Sequence, residues 1–104
     1  EAEATKAKKV VEILKDRGLK ASYEYPGWIS VPRDWSNKDD LEGFAVGTVN
    51  ADWGMDHVNS EGSGTIDDVP DPLPLTATAD EVADWIAAAF TKIFKKATNG
   101  KSDE

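Results

Sequence analysis

Cysteine is absent from this 104-residue sequence, which removes disulfide frameworks and zinc–thiolate sites together. Histidine is nearly absent: His57 is the only one, so a Ser-His-Asp or Cys-His arrangement would have to run through it. No apolar run approaches the roughly 18 residues needed to cross a bilayer. The G-x-S-x-G elbow is missing. Gly62-Ser63-Gly64 is followed by neither Lys-Ser nor Lys-Thr and precedes no helix, so it does not cradle phosphate. Basic residues are scarce where they would matter most. Residues 21–91 hold two against fourteen acidic ones, while the two ends are each slightly basic, for a net charge of −8. That balance opposes direct nucleic-acid binding, because phosphate backbones require neutralising Lys and Arg. It favours solubility and leaves room for a partner with a basic surface.

The length allows one domain, residues 1–104, around one small core. The opening lacks the basic-then-apolar stretch of a signal peptide, and together with the missing cysteine this sets the cytoplasm as the expected compartment, secretion being compatible with the same composition. Glu1-Ala2-Glu3-Ala4 resembles the spacer left by a yeast secretion leader. Residues 1–4 are therefore expected to be a processing remnant or an engineered junction, and residues 98–104 a frayed tail.

What is present divides by period. Ala7, Val10, Val11 and Leu14 fall at i, i+3, i+4 and i+7, one apolar stripe of a helix that Gly18 caps and Leu19 folds back upon. At the other end Thr78 and Glu81 form a T-x-x-E capping box. From Val82, Trp85, Ile86, Ala89 and Phe90 to Ile93, Phe94 and Ala97 a wide apolar face predicts a second helix, ended by Asn99-Gly100. Between them the period is two. Ala21, Tyr23 and Tyr25 alternate up to a Pro26-Gly27 turn, and Trp28 to Val31 return. Phe44 to Val49 lead through Asn50-Ala51-Asp52 into Trp53 to Val58, a second hairpin. The expected fold is α+β: a short antiparallel sheet of three or four strands, flanked by N- and C-terminal helices in α-β-β-β-β-α order. Loops fill 32–42 and 59–77, the second pinned to the body by Ile66, Val69, Leu73 and Leu75.

Several clusters invite chemistry. His57 shares its alternation with Trp53 and Met55, and a half-exposed strand histidine is the expectation. Asp52 and Asp56 share one strand face, but acid–base work needs a cleft that separates two pKa values, which a core this small rarely builds. Asp34, Asn37, Asp39, Asp40 and Glu42 crowd one loop with hard oxygen ligands, yet their spacing does not match the twelve-residue calcium loop. Solvated acidic loops are the expectation, with no metal and no cofactor. A two-residue turn at Pro26-Gly27 would set Tyr23, Tyr25 and Trp28 on one sheet face and Ile29 and Val31 on the other. If both helices cover the aliphatic face, the aromatics lie open, as at interfaces or sugar-stacking sites. The opposite arrangement, with the rings in the core, is equally compatible with the pattern, and Trp35 and Trp53 fit either.

Tyr25-Pro26-Gly27-Trp28-Ile29 and Phe44-Ala45-Val46-Gly47-Thr48-Val49-Asn50-Ala51-Asp52-Trp53-Gly54 resemble motifs in a loose group of short, uncharacterised proteins encoded by bacteriophages and other mobile elements. In that group an opening helix precedes a Y-P-G-aromatic turn, a G-T-x-N-x-x-W-G hairpin and a closing helix. The resemblance implies this fold and a phage origin, and carries over no catalytic residue.

The expected role is a non-enzymatic protein-interaction module, with Tyr23, Tyr25, Trp28, Trp53, Asp34, Asp39, Asp40, Asp52, Asp56, Asp67 and Asp68 as partner-binding residues. In its narrower form the chain is a phage-encoded inhibitor of a host nucleic-acid-handling protein, its aspartates imitating phosphates to a basic groove. The alternatives are a glycan-binding module stacking sugars on Tyr23, Trp28 and Trp53, and a virion or other structural component.

Overall fold

The computed structural model describes residues 2–24, 27–34, 36–37, 39–49 and 51–95. Helix α1 (Ala2–Asp16) leads to strands β1 (Ser22–Glu24), β2 (Trp28–Pro32), β3 (Gly43–Val49), β4 (Asp52–Val58), β5 (Thr65–Ile66) and β6 (Leu73–Pro74), then to helix α2 (Ala79–Phe90), which runs on as a π-helical turn, Thr91–Lys95. All pairings are antiparallel, in the order β1-β2-β3-β4-β5, with β6 also on β4. The α+β fold with a helix at each end is as the sequence predicts. The sheet has two more strands than expected, both two-residue pieces of the long loop. Pairing to β4, with Val69, Leu73 and Leu75 packed on the core, is how that loop is pinned. Ile66 stays 38% exposed and is held by its backbone pairing with His57.

Local chemistry explains the helix ends. Gly18, at φ +89°, closes α1 with the double hydrogen bond of a Schellman cap: Leu19 N donates to Leu14 O and Gly18 N to Lys15 O, both at 3.0 Å. At the start of α2, Thr78 Oγ1 accepts from Glu81 N and Thr78 N donates to the Glu81 carboxylate, satisfying two of the helix's orphan groups. Lys6 then ties the two helices' surroundings together, donating to the Leu75 and Ala77 carbonyls at 3.0 and 2.8 Å.

Strand register sorts every side chain to one of two faces. Ile29 pairs with Val46 and Val46 with Met55; Val31 pairs with Phe44 and Phe44 with His57. These residues and Trp53 are buried with Ala7, Val10, Val11 and Leu14 of α1 and Val82, Ala83, Ile86 and Ala89 of α2. One face of the sheet is thus covered by both helices. The other carries Ser22, Glu24, Trp28, Ser30, Ala45, Gly47, Asp52, Gly54 and Asp56, with no helix upon it among the described residues.

Two expectations fail here for stated reasons. Glu24 pairs with Trp28, so three residues, not two, connect β1 to β2. That extra residue inverts the parity: Tyr23 lies opposite Ile29 on the helix-covered face, half-buried with Lys8 Nζ 5.4 Å from its ring centroid. Trp28 alone of this pair is on the open face. Trp53, which the pattern fits to either face and which a partner-binding or sugar-stacking role requires in the open, is 1% exposed, because it shares the inward side of β4 with Met55 and His57. Tyr25, Trp35 and Asn50, the closing Asn99-Gly100 and the 98–104 tail lie outside the described residues.

Gly43 and Gly54 provide a paired test of this geometry. A methyl group at Gly43 would sit 2.5 Å from Val31 O and 2.8 Å from Pro32 Cα, whereas one at Gly54 would meet nothing within 4 Å. Gly43→Ala is expected to destabilise by about 2–3 kcal/mol or more through backbone displacement. Gly54→Ala should be neutral or slightly stabilising, within about 1 kcal/mol. Urea denaturation of both variants at constant m-value checks the difference.

Candidate functional site

Two regions gather polar or aromatic side chains, and they differ in what the chain has already done with them. The first is a charged chain at one end of the covered face. Arg33 follows β2 and bonds Asp40 through Nε at 3.0 Å and through a terminal nitrogen at 2.7 Å. Its other terminal nitrogen reaches Glu42 Oε1 at 3.1 Å. Glu42 Oε2 is 2.6 Å from His57 Nε2, and His57 Nδ1 is 2.7 Å from Asp68 Oδ1. Asp40, Arg33, Glu42, His57 and Asp68 therefore alternate as carboxylate and nitrogen base, stitching the 33–42 loop and the 67–72 loop to β4.

His57 is 3% exposed, not half-exposed as its strand alternation suggests. Its ring makes edge contacts with Phe44 and Phe94, at 5.7 and 5.0 Å between centroids. Phe94 reaches it from the π-helical turn after α2, stacking on Phe44 at 4.9 Å. A buried imidazole needs hydrogen-bond partners, and here each ring nitrogen has a carboxylate. Both nitrogens are thereby engaged, and the ring bonds no hydroxyl that it could activate. Among the described residues no three His, Asp or Glu side chains converge as metal ligands. Asp34 accepts from Ser36 N and Oγ at 3.2 and 2.7 Å, forming the turn that starts the 34–40 loop. Three of the predicted partner-binding aspartates, Asp34, Asp40 and Asp68, thus line this cleft of about 660 Å³ while bonding within the chain.

The second region is on the open face. Trp28 is 40% exposed and stands beside Gly47, where a methyl group would meet its Cβ at 3.5 Å. Gly47 pairs with Gly54 and Ala45 with Asp56, giving a bare floor. Val69, Pro70 and Pro72 of the 67–72 loop close the far side of a groove of about 460 Å³. That wall is anchored three times: Asp68 to His57, the Asp71 carbonyl to Trp85 Nε1 at 3.1 Å, and Leu73 to Trp53 through strand pairing. Asp52 and Asp56 are exposed on this face and Glu24 half-exposed. Among its described strand residues there is no Lys or Arg. Asp39 and Asp67 are exposed on the flanking loops and do not join the groove.

Comparison with known proteins finds no matching family model, no similar curated protein and no similar solved structure. Among the described residues no helix is long and apolar enough to cross a membrane.

Sequence reading missed the Arg33–Glu42–His57–Asp68 chain, since its members are separated by up to 35 positions and only the strand pairing unites them. The sequence carries no signal for it, since the Trp53-Met55-His57 alternation is compatible with either face.

Asp40 offers a pH test. The hydrogen bonds from Arg33 hold its carboxyl below the usual aspartate range, against a smaller opposing effect of burial. A carboxyl depressed in the folded state stabilises at pH values above the unfolded pKa, about 3.9, and that contribution is lost as pH falls through the lower folded value. Melting temperature followed from neutral pH downward should drop more steeply in the wild type than in Arg33→Met below that point. Identical acid limbs would show that the Arg33–Asp40 pair contributes nothing.

Proposed function

We propose that this chain is a non-enzymatic protein-interaction module that receives a basic surface of a protein partner on its open sheet face. The observation that carries this reading is Trp28, a large aromatic left 40% exposed beside a glycine-floored groove whose charged neighbours, among the described residues, are acidic. Uncovered aromatic surface of this kind is a frequent anchor of interfaces. Carboxylates around it steer a positively charged partner and speed its approach. Asp52 and Asp56 are the predicted binding residues best placed for this role, with Glu24 added to them.

A nucleic-acid-handling protein is one class of partner whose surface has that charge. The narrower reading, a phage-encoded inhibitor that imitates phosphate, belongs to the same proposal and is supported by the acidic middle of the sequence and the motif resemblance. Its acidic groups would be Asp39, Asp52, Asp56 and Asp67, which are exposed, rather than Asp34, Asp40 and Asp68, whose oxygens bond within the chain. The glycan reading loses two of its three platforms, because Tyr23 and Trp53 lie on the covered face.

Gly54→Val tests the proposal on the outward side of β4, where an added Cβ meets nothing within 4 Å. Immobilised wild-type protein should retain a basic protein from bacterial lysate and release it at moderate salt, as screened charge pairs require. The valine variant, with its melting temperature unchanged, should retain far less. Equal retention by the two proteins would contradict binding through this face.

A further inference from the structure

The groove on the open face has a shape and a charge that select among basic ligands. Its walls, Trp28 on β2 and the β5–β6 loop that lies beyond β4, are separated by about three strand spacings, roughly 14 Å before side chains are counted. The floor carries glycine at Gly47 and Gly54 and alanine at Ala45, so the entering backbone can approach the sheet closely. Trp28 and Asp56 lie diagonally across this floor, their Cα atoms about 12 Å apart by sheet geometry. An indole face and a carboxylate at that separation suit a cation whose flat head stacks on the ring while its edge turns toward the acid. Lysine satisfies only the charge, as a strongly hydrated point; a guanidinium satisfies both, being planar, weakly hydrated and able to stack.

Resting on the interaction reading above, we propose that the occupant of this groove is an extended, arginine-bearing segment of the partner, with a guanidinium stacked on Trp28 and held by the carboxylates of the open face, Asp56 foremost. The three anchors of the 67–72 loop fix the Pro70–Pro72 wall before binding. A preformed groove spares the ordering of its own loop on association. Asp52 and Glu24 on the same face add to the field, so affinity falls with salt.

The test uses the full chain and three short synthetic Gly/Ser peptides bearing alternate arginines, alternate lysines or alternate glutamates, titrated calorimetrically. The arginine peptide should bind, and the lysine peptide should bind several-fold more weakly. Trp28→Ala should weaken the arginine peptide about tenfold, the loss of one stacked cation. Gly54→Val should abolish its binding with the melting temperature unchanged, and Asp56→Asn should weaken binding and flatten its salt dependence. Equal affinity for arginine and lysine peptides, or an unchanged affinity in Trp28→Ala, overturns the stacked arginine. If the arginine peptide fails to bind while Gly54→Val still loses the lysate partner, the arginine assignment falls and the interaction reading stands. If Gly54→Val loses neither, both fall.

Discussion

Everything in this molecule follows from the alternation of β4, which sends Trp53, Met55 and His57 to one side and Asp52, Gly54 and Asp56 to the other. The inward set completes the apolar surface that Ile29, Val31, Phe44 and Val46 begin, and the two amphipathic helices bury their own stripes against it. Hydrophobic burial at roughly 25 cal/mol per Å² drives both helices to that side. No described helix covers the outward set, and only the 67–72 loop borders it at Gly54 and Asp56. An open face is thus the consequence of having two helices and one sheet, and Ser22, Glu24, Asp52 and Asp56 give it much of its polar character.

The polar exception on the covered side is His57. An imidazole among Phe44, Phe94 and the helix ends would be a liability without partners, and Glu42 and Asp68 supply them from two loops. The same bonds give those loops a fixed position. Arg33 extends the arrangement outward, so that the carboxylate of Glu42 faces a cation on one oxygen and the imidazole on the other. Some acidic residues of the middle of the chain are therefore structural, Asp34, Asp40, Glu42 and Asp68 organising loops, whereas others, Asp52 and Asp56 among them, face outward. The negative charge that dominates the sequence is partly architectural.

The helices, both caps and the β3–β4 hairpin were legible because their signals are local: an apolar stripe, a glycine after it, a capping box, and the short Asn50-Ala51-Asp52 connection between alternating runs, of which Asp52 proves to be the first residue of β4. The first hairpin was not, because its parity depends on whether two or three residues turn the chain, and Pro26-Gly27 suggests the shorter count. That single residue moved Tyr23 to the covered face. β5 and β6 are two residues each, too short to carry a period, and exist only because β4 offers an edge. Trp53 could be placed on neither side from its own strand, since its neighbours alternate equally well either way; the pairing of Met55 with Val46 and of His57 with Phe44 settles it. For the site, Trp28 and the outward aspartates of β4 were readable from composition and alternation. The wall of the groove was not, because its residues belong to an irregular loop whose position is fixed by contacts with β4 and α2.

The central claim, that the sheet has one covered and one open face, is tested most directly by solvent paramagnetic relaxation on the indole N–H signals, assigned by single Trp→Phe substitutions. A soluble gadolinium chelate should broaden the Trp28 signal strongly and leave that of Trp53, buried at 1% exposure, nearly untouched. Comparable broadening of the two would place both rings in solvent and contradict the assignment of faces from which the rest of the account is built.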